Sequence, residues 1–360
     1  MGRNLGAGTA QVRRAAPQAS AGQYQWLKDS VVKQDTLVLG RIQRQIKRRI
    51  EENNEARDTE HLHASEISKT GWCPRSSWYR ITGVAPDRKT NHSIQTIQVF
   101  EEGHSIHGKF QQALWRDGSL MGHWRCLVCD HYWEDKAPQH CTLCSSPFIE
   151  YAEVPIEDPS IHLIGHGDGL CEVGRPLPVL IEVKTIGLGT FRVEVPGLYN
   201  QYHRGELTLP QLWSAVRRPF PSHLRQGMLY LRAKKLKTAV FLYEFKANQA
   251  QKEFVVPYNP SIIADVVAGA EAVKRALDTG TTVKRPTWAE DEENKVCRKC
   301  DYRGTCWGIS AAAEEATDRT TGQRPVRVLR RPRGVQGARP DDAPPPAVER
   351  RRTFAAARSR

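Results

Sequence analysis

Two Cys-x2-Cys pairs, Cys126–Cys129 and Cys141–Cys144, stand eleven residues apart with Trp124 and Trp133 beside them. Each pair is a turn that presents two thiolates to one ion, and two such turns complete a tetrahedral shell. The pattern therefore fixes a small ribbon locally, whatever surrounds it. Structural zinc is the expected occupant; an unmetallated hairpin or iron in the same site are the alternatives. Four protein ligands leave no open position for a substrate, so this site folds a ribbon and does no chemistry.

A second set, Cys297, Cys300 and Cys306, lies in KVCRKCDYRGTCWG and is one ligand short of a closed site. The best fourth is Cys73 in GWCPRSSWYR, more than two hundred residues upstream, because it occupies a polar, tryptophan-flanked turn. Four thiolates suit either zinc or a cubane iron-sulfur cluster, and spacing alone does not choose. The ninth cysteine, Cys171, reads as a buried strand thiol.

Helical and strand patterns alternate between these sets, which argues for an α/β layer fold. Helices are expected over 98–115, 222–233 and 261–277, and strands over 161–164, 179–185 and 240–245. Residues 1–24 read as a disordered arm and 25–60 as an amphipathic helical segment. At the far end, 311–360 carry twelve Arg and six acids and read as a disordered basic tail. The net charge of +13 across 360 residues favours a polyanionic partner. No apolar run is long enough for a membrane span and the start lacks a signal-peptide core, so a cytoplasmic protein is expected.

In VLIEVKT the period of two puts Val179, Ile181 and Val183 on one face and Leu180, Glu182 and Lys184 on the other. Upstream, LIGHGDG places Asp168 in a glycine-rich stretch, so a strand-turn-strand unit would set Asp168 beside Glu182. Two carboxylates at that separation call for a divalent cation such as Mg²⁺ between them, with Lys184 reaching the attacking water or the phosphate. Gly103 with His107, and Gln226 with Tyr230, share helix faces at i, i+4, and the missing side chain of Gly103 is expected to leave space above the His107 imidazole.

The order of these motifs resembles the RecB-like branch of the PD-(D/E)XK nuclease superfamily, and most closely the CRISPR-associated exonucleases of the Cas-four type and the nuclease domains of AddAB-type helicase-nucleases. The resemblance rests on SEISKTGWCPRSSWYRITG, Gly103 with His107, GHGDG, IEVK, Gln226 with Tyr230 and the final cysteine triplet. It implies a restriction-endonuclease-like mixed sheet flanked by helices over 61–310, into which the zinc ribbon read from the cysteines would be inserted at about 122–150. It also implies that Cys73, Cys297, Cys300 and Cys306 hold a 4Fe-4S cluster and that His107, Asp168 and Glu182 hold Mg²⁺ or Mn²⁺. Lys184 becomes the catalytic lysine, with Gln226 and Tyr230 supporting the site. The implied activity is metal-dependent DNA exonuclease action on single strands or ends in recombination, repair or replication, with a helicase or recombination protein as candidate partner. The other reading is a non-catalytic DNA-binding or assembly subunit that works through the ribbon and the basic arms. Gly167 replaces the Pro of the superfamily name, and the ribbon is extra to the family minimum.

Overall fold

The computed structural model describes residues 38–55, 58–88, 93–174, 177–289 and 291–309. The chain divides into two units, Met1–Ser310 and Ala311–Arg360, and every described residue belongs to the first. The expected arm at 1–24 and tail at 311–360 lie outside the described residues, as do the first positions of the amphipathic segment.

Helix α1 (Leu39–Glu55) precedes the short strand β1 (Leu62–His63) and helices α2 (Ala64–Ile67) and α3 (Pro74–Ile81). Helix α4 (Ile94–Asp117) is longer than its apolar period suggests. The Ser93 side chain accepts the Thr96 amide at its start, and Gly118 ends it in the left-handed region at φ 81°. Strands β2 (Leu120–Cys126), β3 (Tyr132–Lys136), β4 (Ile149–Tyr151), β5 (Val154–Asp158), β6 (Leu163–Gly167), β7 (Gly169–Cys171) and β8 (Val179–Ile186) follow. Helices α5 (Leu188–Glu194), α6 (Pro196–His203), α7 (Leu209–Ser214) and α8 (Pro221–Lys234) then lead to β9 (Thr238–Phe245) and β10 (Gln251–Pro257). Helices α9 (Ala264–Thr279) and α10 (Arg303–Trp307) close the described chain.

The strands form two sheets. The smaller runs β1-β6-β5; the larger runs β10-β9-β8-β7-β2-β3, with β4 also on β2. Strands β8 and β9 are parallel, as their long helical crossover requires, and the remaining pairs of the larger sheet are antiparallel. The expected mixed α/β sheet flanked by helices is present. The 161–164 segment departs from expectation: Asp158 pairs with Leu163, so Pro159–Ile161, a 3-10 turn, and the left-handed His162 connect β5 to β6, and the strand starts at Leu163. Strand β2 pairs with β7 through Leu120 and Met121, so the ribbon is a prolongation of the main sheet.

Both faces of β8 are covered. Val179, Ile181 and Val183 pack on Ile106, Phe110 and Leu114 of α4, while Leu180 and Ile186 join the larger core under α8. A Cβ at Gly227 would stand 2.5 Å from the Phe241 ring, so only glycine lets α8 lie this close to β9. This packing fixes α4 on one side of β8 and α8 on the other. No described helix is long and apolar enough to cross a membrane.

Candidate active site and two cysteine clusters

Asp168 is the single residue between β6 and β7, where the chain passes from the smaller sheet to the larger. Its neighbour Gly169 pairs with Ile181, which brings Asp168 alongside the Glu182–Val183 segment of β8. Val183 N donates to Asp168 Oδ2 at 2.7 Å, and His107 Nδ1 on α4 lies 3.0 Å from Oδ1. Gln111, one turn along α4, donates to the Asp168 carbonyl at 3.0 Å. On β8, Lys184 Nζ lies 2.7 Å from Glu182 Oε2. The strand-turn-strand unit thus assembles His107, Asp168, Glu182 and Lys184 at one place.

Glu182 is 1% exposed, and neither of its carboxylate oxygens has a hydrogen-bond partner. The Lys184 contact is a close charge pair off the direction of a hydrogen bond, so it offsets charge without satisfying the oxygens' lone pairs. Burial pushes the Glu182 carboxyl up to about 7, with Asp168's charge adding to it and Lys184 opposing. Burial also tends to raise Asp168, but the His107 hydrogen bond and the Lys184 charge outweigh it and hold Asp168 below the usual range. Burial would lower His107 and Lys184; the adjoining carboxylates reverse this and keep both above their ordinary values. Lys184 therefore persists as a cation, unsuited to act as a base.

Gln226 Nε2 donates to Tyr230 Oη at 3.0 Å on α8, as their spacing predicts. Burial and then the Glu182 charge push the Tyr230 phenol well above its ordinary value, so it stays protonated and can donate. The glycine-rich stretch finds its use here: a Cβ at Gly165 would sit 2.9 Å from the Tyr230 ring. Gly103 differs from expectation. A Cβ there would meet only Thr185 Oγ1 at 3.7 Å, so the position is not needed to make room above His107.

One residue escaped the sequence reading. Glu153, between β4 and β5, is raised by burial and then by the charge of Asp168, with His107, Gln111 and Lys184 opposing, which places its carboxyl in the same cluster. Its φ of 61° is left-handed, a strained setting for Glu, and it is held by the His123 amide donating to its carbonyl at 2.8 Å. The only local signal is an acid at the head of VPIED, which many chains carry.

The ribbon cysteines come together as expected. Cys126 and Cys144 Sγ are 3.5 Å apart, Cys129 and Cys141 3.7 Å, and all four lie within 4.8 Å of one another. A tetrahedron with ~2.3 Å metal-sulfur bonds has edges of about 3.8 Å, so these four thiols can hold a metal ion. The Val128 and Leu143 amides donate to Cys126 and Cys141 Sγ, each at 3.4 Å, which favours thiolates. Cys73, Cys297, Cys300 and Cys306 line one common cavity, Cys73 arriving from the residue before α3. They are spaced more widely: no three of them share the 4.8 Å spacing of the ribbon set. Cys171 is buried on β7.

No family model matches the chain, and no curated protein does. Among solved structures it is similar to an alkaline exonuclease (LHK-Exo) from Laribacter hongkongensis, with 15% identity over 64% of this chain and 93% of that one and a TM-score of 0.35. It is also similar to LHK-Exo in complex with dAMP, with 12% identity over 62% and 90% and the same TM-score of 0.35.

Proposed function

We propose that the chain is a metal-dependent DNA nuclease of the RecB-like, PD-(D/E)XK kind, acting as an exonuclease on single strands or ends. The observation that carries this is the buried Glu182 carboxylate, paired in charge with Lys184 at 2.7 Å but without a hydrogen bond to either oxygen, in one strand-turn-strand unit with Asp168, which His107 contacts. A buried carboxylate with its hydrogen-bonding capacity unused is suited to take up a divalent cation as well. Oxygen and imidazole ligands suit a hard divalent ion such as Mg²⁺ or Mn²⁺, so His107, Asp168 and Glu182 would hold it, drawing closer than in the metal-free structure, where no three of these groups share the 4.8 Å spacing of the ribbon thiols. An ion bound there supplies a water of lowered pKa and polarises a phosphoryl oxygen.

The chain's own groups do the rest. Lys184 keeps its positive charge where negative charge develops on the phosphate, and Tyr230, fixed by Gln226, offers a hydroxyl proton to a phosphate oxygen. His107 and the Val183 amide hold Asp168 in one orientation. The net charge of +13 suits a polyanionic substrate.

The ribbon spacing fits structural zinc. The wider spacing of Cys73, Cys297, Cys300 and Cys306 fits a 4Fe-4S cubane better than one tetrahedral ion, because the cubane's irons sit at separate corners. On this reading 61–310 is the nuclease unit, 122–150 its ribbon, and the cluster a staple joining Cys73 to the C-terminal triplet. Incubation of end-labelled DNA with the protein and Mn²⁺ tests the proposal: shortening that chelator abolishes is expected, and intact DNA under all divalent-ion conditions would refute it.

A further inference from the structure

The cavity lined by the second cysteine set extends well past it. It encloses about 1120 Å³ and reaches from Lys69 through Trp288 and Lys295 to Arg192 and Pro196. Arg192 lies in the last turn of α5, which is separated from the end of β8 by Gly187 alone.

Its lining has eight Lys and Arg side chains against two acids, a surplus of 8 − 2 = 6. Four thiolates would offset at most four of these, so the wall stays positive with the cysteines fully charged. Several of the cations are committed: Arg80 pairs with Glu66, Arg303 pairs with Glu293, and Arg285 stacks over Trp307 at 3.9 Å. Lys69, Arg192 and Lys295 have no ion-pair partner among the described residues. Trp288 is 38% exposed, and its backbone carbonyl accepts from Asn294 Nδ2 at 3.1 Å.

Uncommitted cations and an accessible aromatic face in one cavity are what a single nucleic-acid strand needs: cations for phosphates and a π-face for an unstacked base. A duplex keeps its bases stacked inside and could use only the cations. We infer that this cavity is a binding groove for single-stranded DNA, with Lys69, Arg192 and Lys295 on phosphates and Trp288 under a base. The inference rests on the nuclease reading for its substrate and adds where the strand lies and which form of DNA is taken.

The test uses the full-length, anaerobically purified protein, with Ca²⁺ in place of Mg²⁺ and a fluorescent single-stranded oligodeoxynucleotide. Arg192→Ala with Lys295→Ala should weaken binding at least about tenfold, and should flatten the dependence of log Kd on log salt by about 1.4, for two phosphates on a single strand. Trp288→Ala should cost about tenfold or more without changing that slope. Iron content and cleavage of a dinucleotide should match the parent, because neither needs the groove. Unchanged affinity and slope in variants that keep their iron would overturn the inference, as would an equal loss of binding to blunt duplex. If the double variant loses iron, Arg192→Gln, remote from the cysteines in sequence, decides alone by the same slope. DNA binding with the expected slope but no cleavage in Mn²⁺ would remove the nuclease reading and leave the groove standing.

Discussion

His107 Nδ1 stands 3.0 Å from Asp168 Oδ1, while the other Asp168 oxygen accepts the Val183 amide at 2.7 Å, so this carboxylate is held from a helix and a strand at once. The pair has opposite linkage to pH. His107 is raised, so its contribution to stability is complete below its ordinary value of 6.5 and fades as pH rises through its folded value; Asp168 is lowered, so its contribution is complete above 3.8 and fades below that. His107→Ala should lower Mn²⁺ affinity by about tenfold or more, since one ligand and the orientation of a second are lost. Titration calorimetry checks this, and an unchanged affinity would show that His107 only packs.

Glu182 gives the reverse of the usual carboxylate behaviour. Its carboxyl rises from 4.5 to about 7, so the metal-free fold favours the protonated form and loses stability as pH climbs between those values. At 1% exposure the penalty at pH 8 is on the order of a few kcal/mol. Glu182→Gln should therefore melt higher than the parent at pH 8 in chelator, with the advantage shrinking as pH falls below about 7. A lower melting temperature at pH 8 would contradict the buried, unsatisfied carboxylate.

Lys184 competes with any cation for Glu182, its ammonium being 2.7 Å from Oε2. Lys184→Met should bind Mn²⁺ at least as tightly as the parent yet cleave DNA on the order of a thousandfold more slowly, since the charge that meets the phosphate is gone. Weaker metal binding in this variant would mean that the lysine organises the site and does not act on substrate.

The ribbon should bind its ion without help from the rest of the chain, because its four thiols are contiguous and already within 4.8 Å. A peptide spanning 123–147 should take up one Co²⁺ with the absorption of tetrahedral thiolate ligation. Spectra without thiolate bands would sink the self-contained ribbon.

Purified without air, the protein should be brown and hold about four iron per chain, and Cys73→Ala or Cys300→Ala should bleach it. A colourless protein with two zinc ions per chain would replace this assignment.

Much of the site was legible because it is periodic. Alternation put Glu182 and Lys184 on one face of β8, and the i, i+4 rule joined Gln226 to Tyr230. Asp168 was legible from the glycines around it. Glu153 was not, since it reaches the cluster through a left-handed residue between two short strands that no periodicity announces. The reach of α4 to Ile94 was hidden because exposed Val99 and Phe100 blur its apolar stripe. Gly103 was misread for the opposite reason: helix spacing showed that it shares a face with His107, but only the fold shows that Thr185 leaves space for a Cβ there.

The central claim is that Asp168, Glu182 and Lys184 form one phosphodiester-cleaving site. The direct measurement is the rate of Mn²⁺-dependent shortening of end-labelled single-stranded DNA by the parent and by Asp168→Ala, Glu182→Ala and Lys184→Ala, with binding followed in parallel. The account predicts losses on the order of a thousandfold or more in each variant with DNA binding retained, since each removes several kcal/mol of metal or charge stabilisation. Rates within a few-fold of the parent would place the chemistry elsewhere.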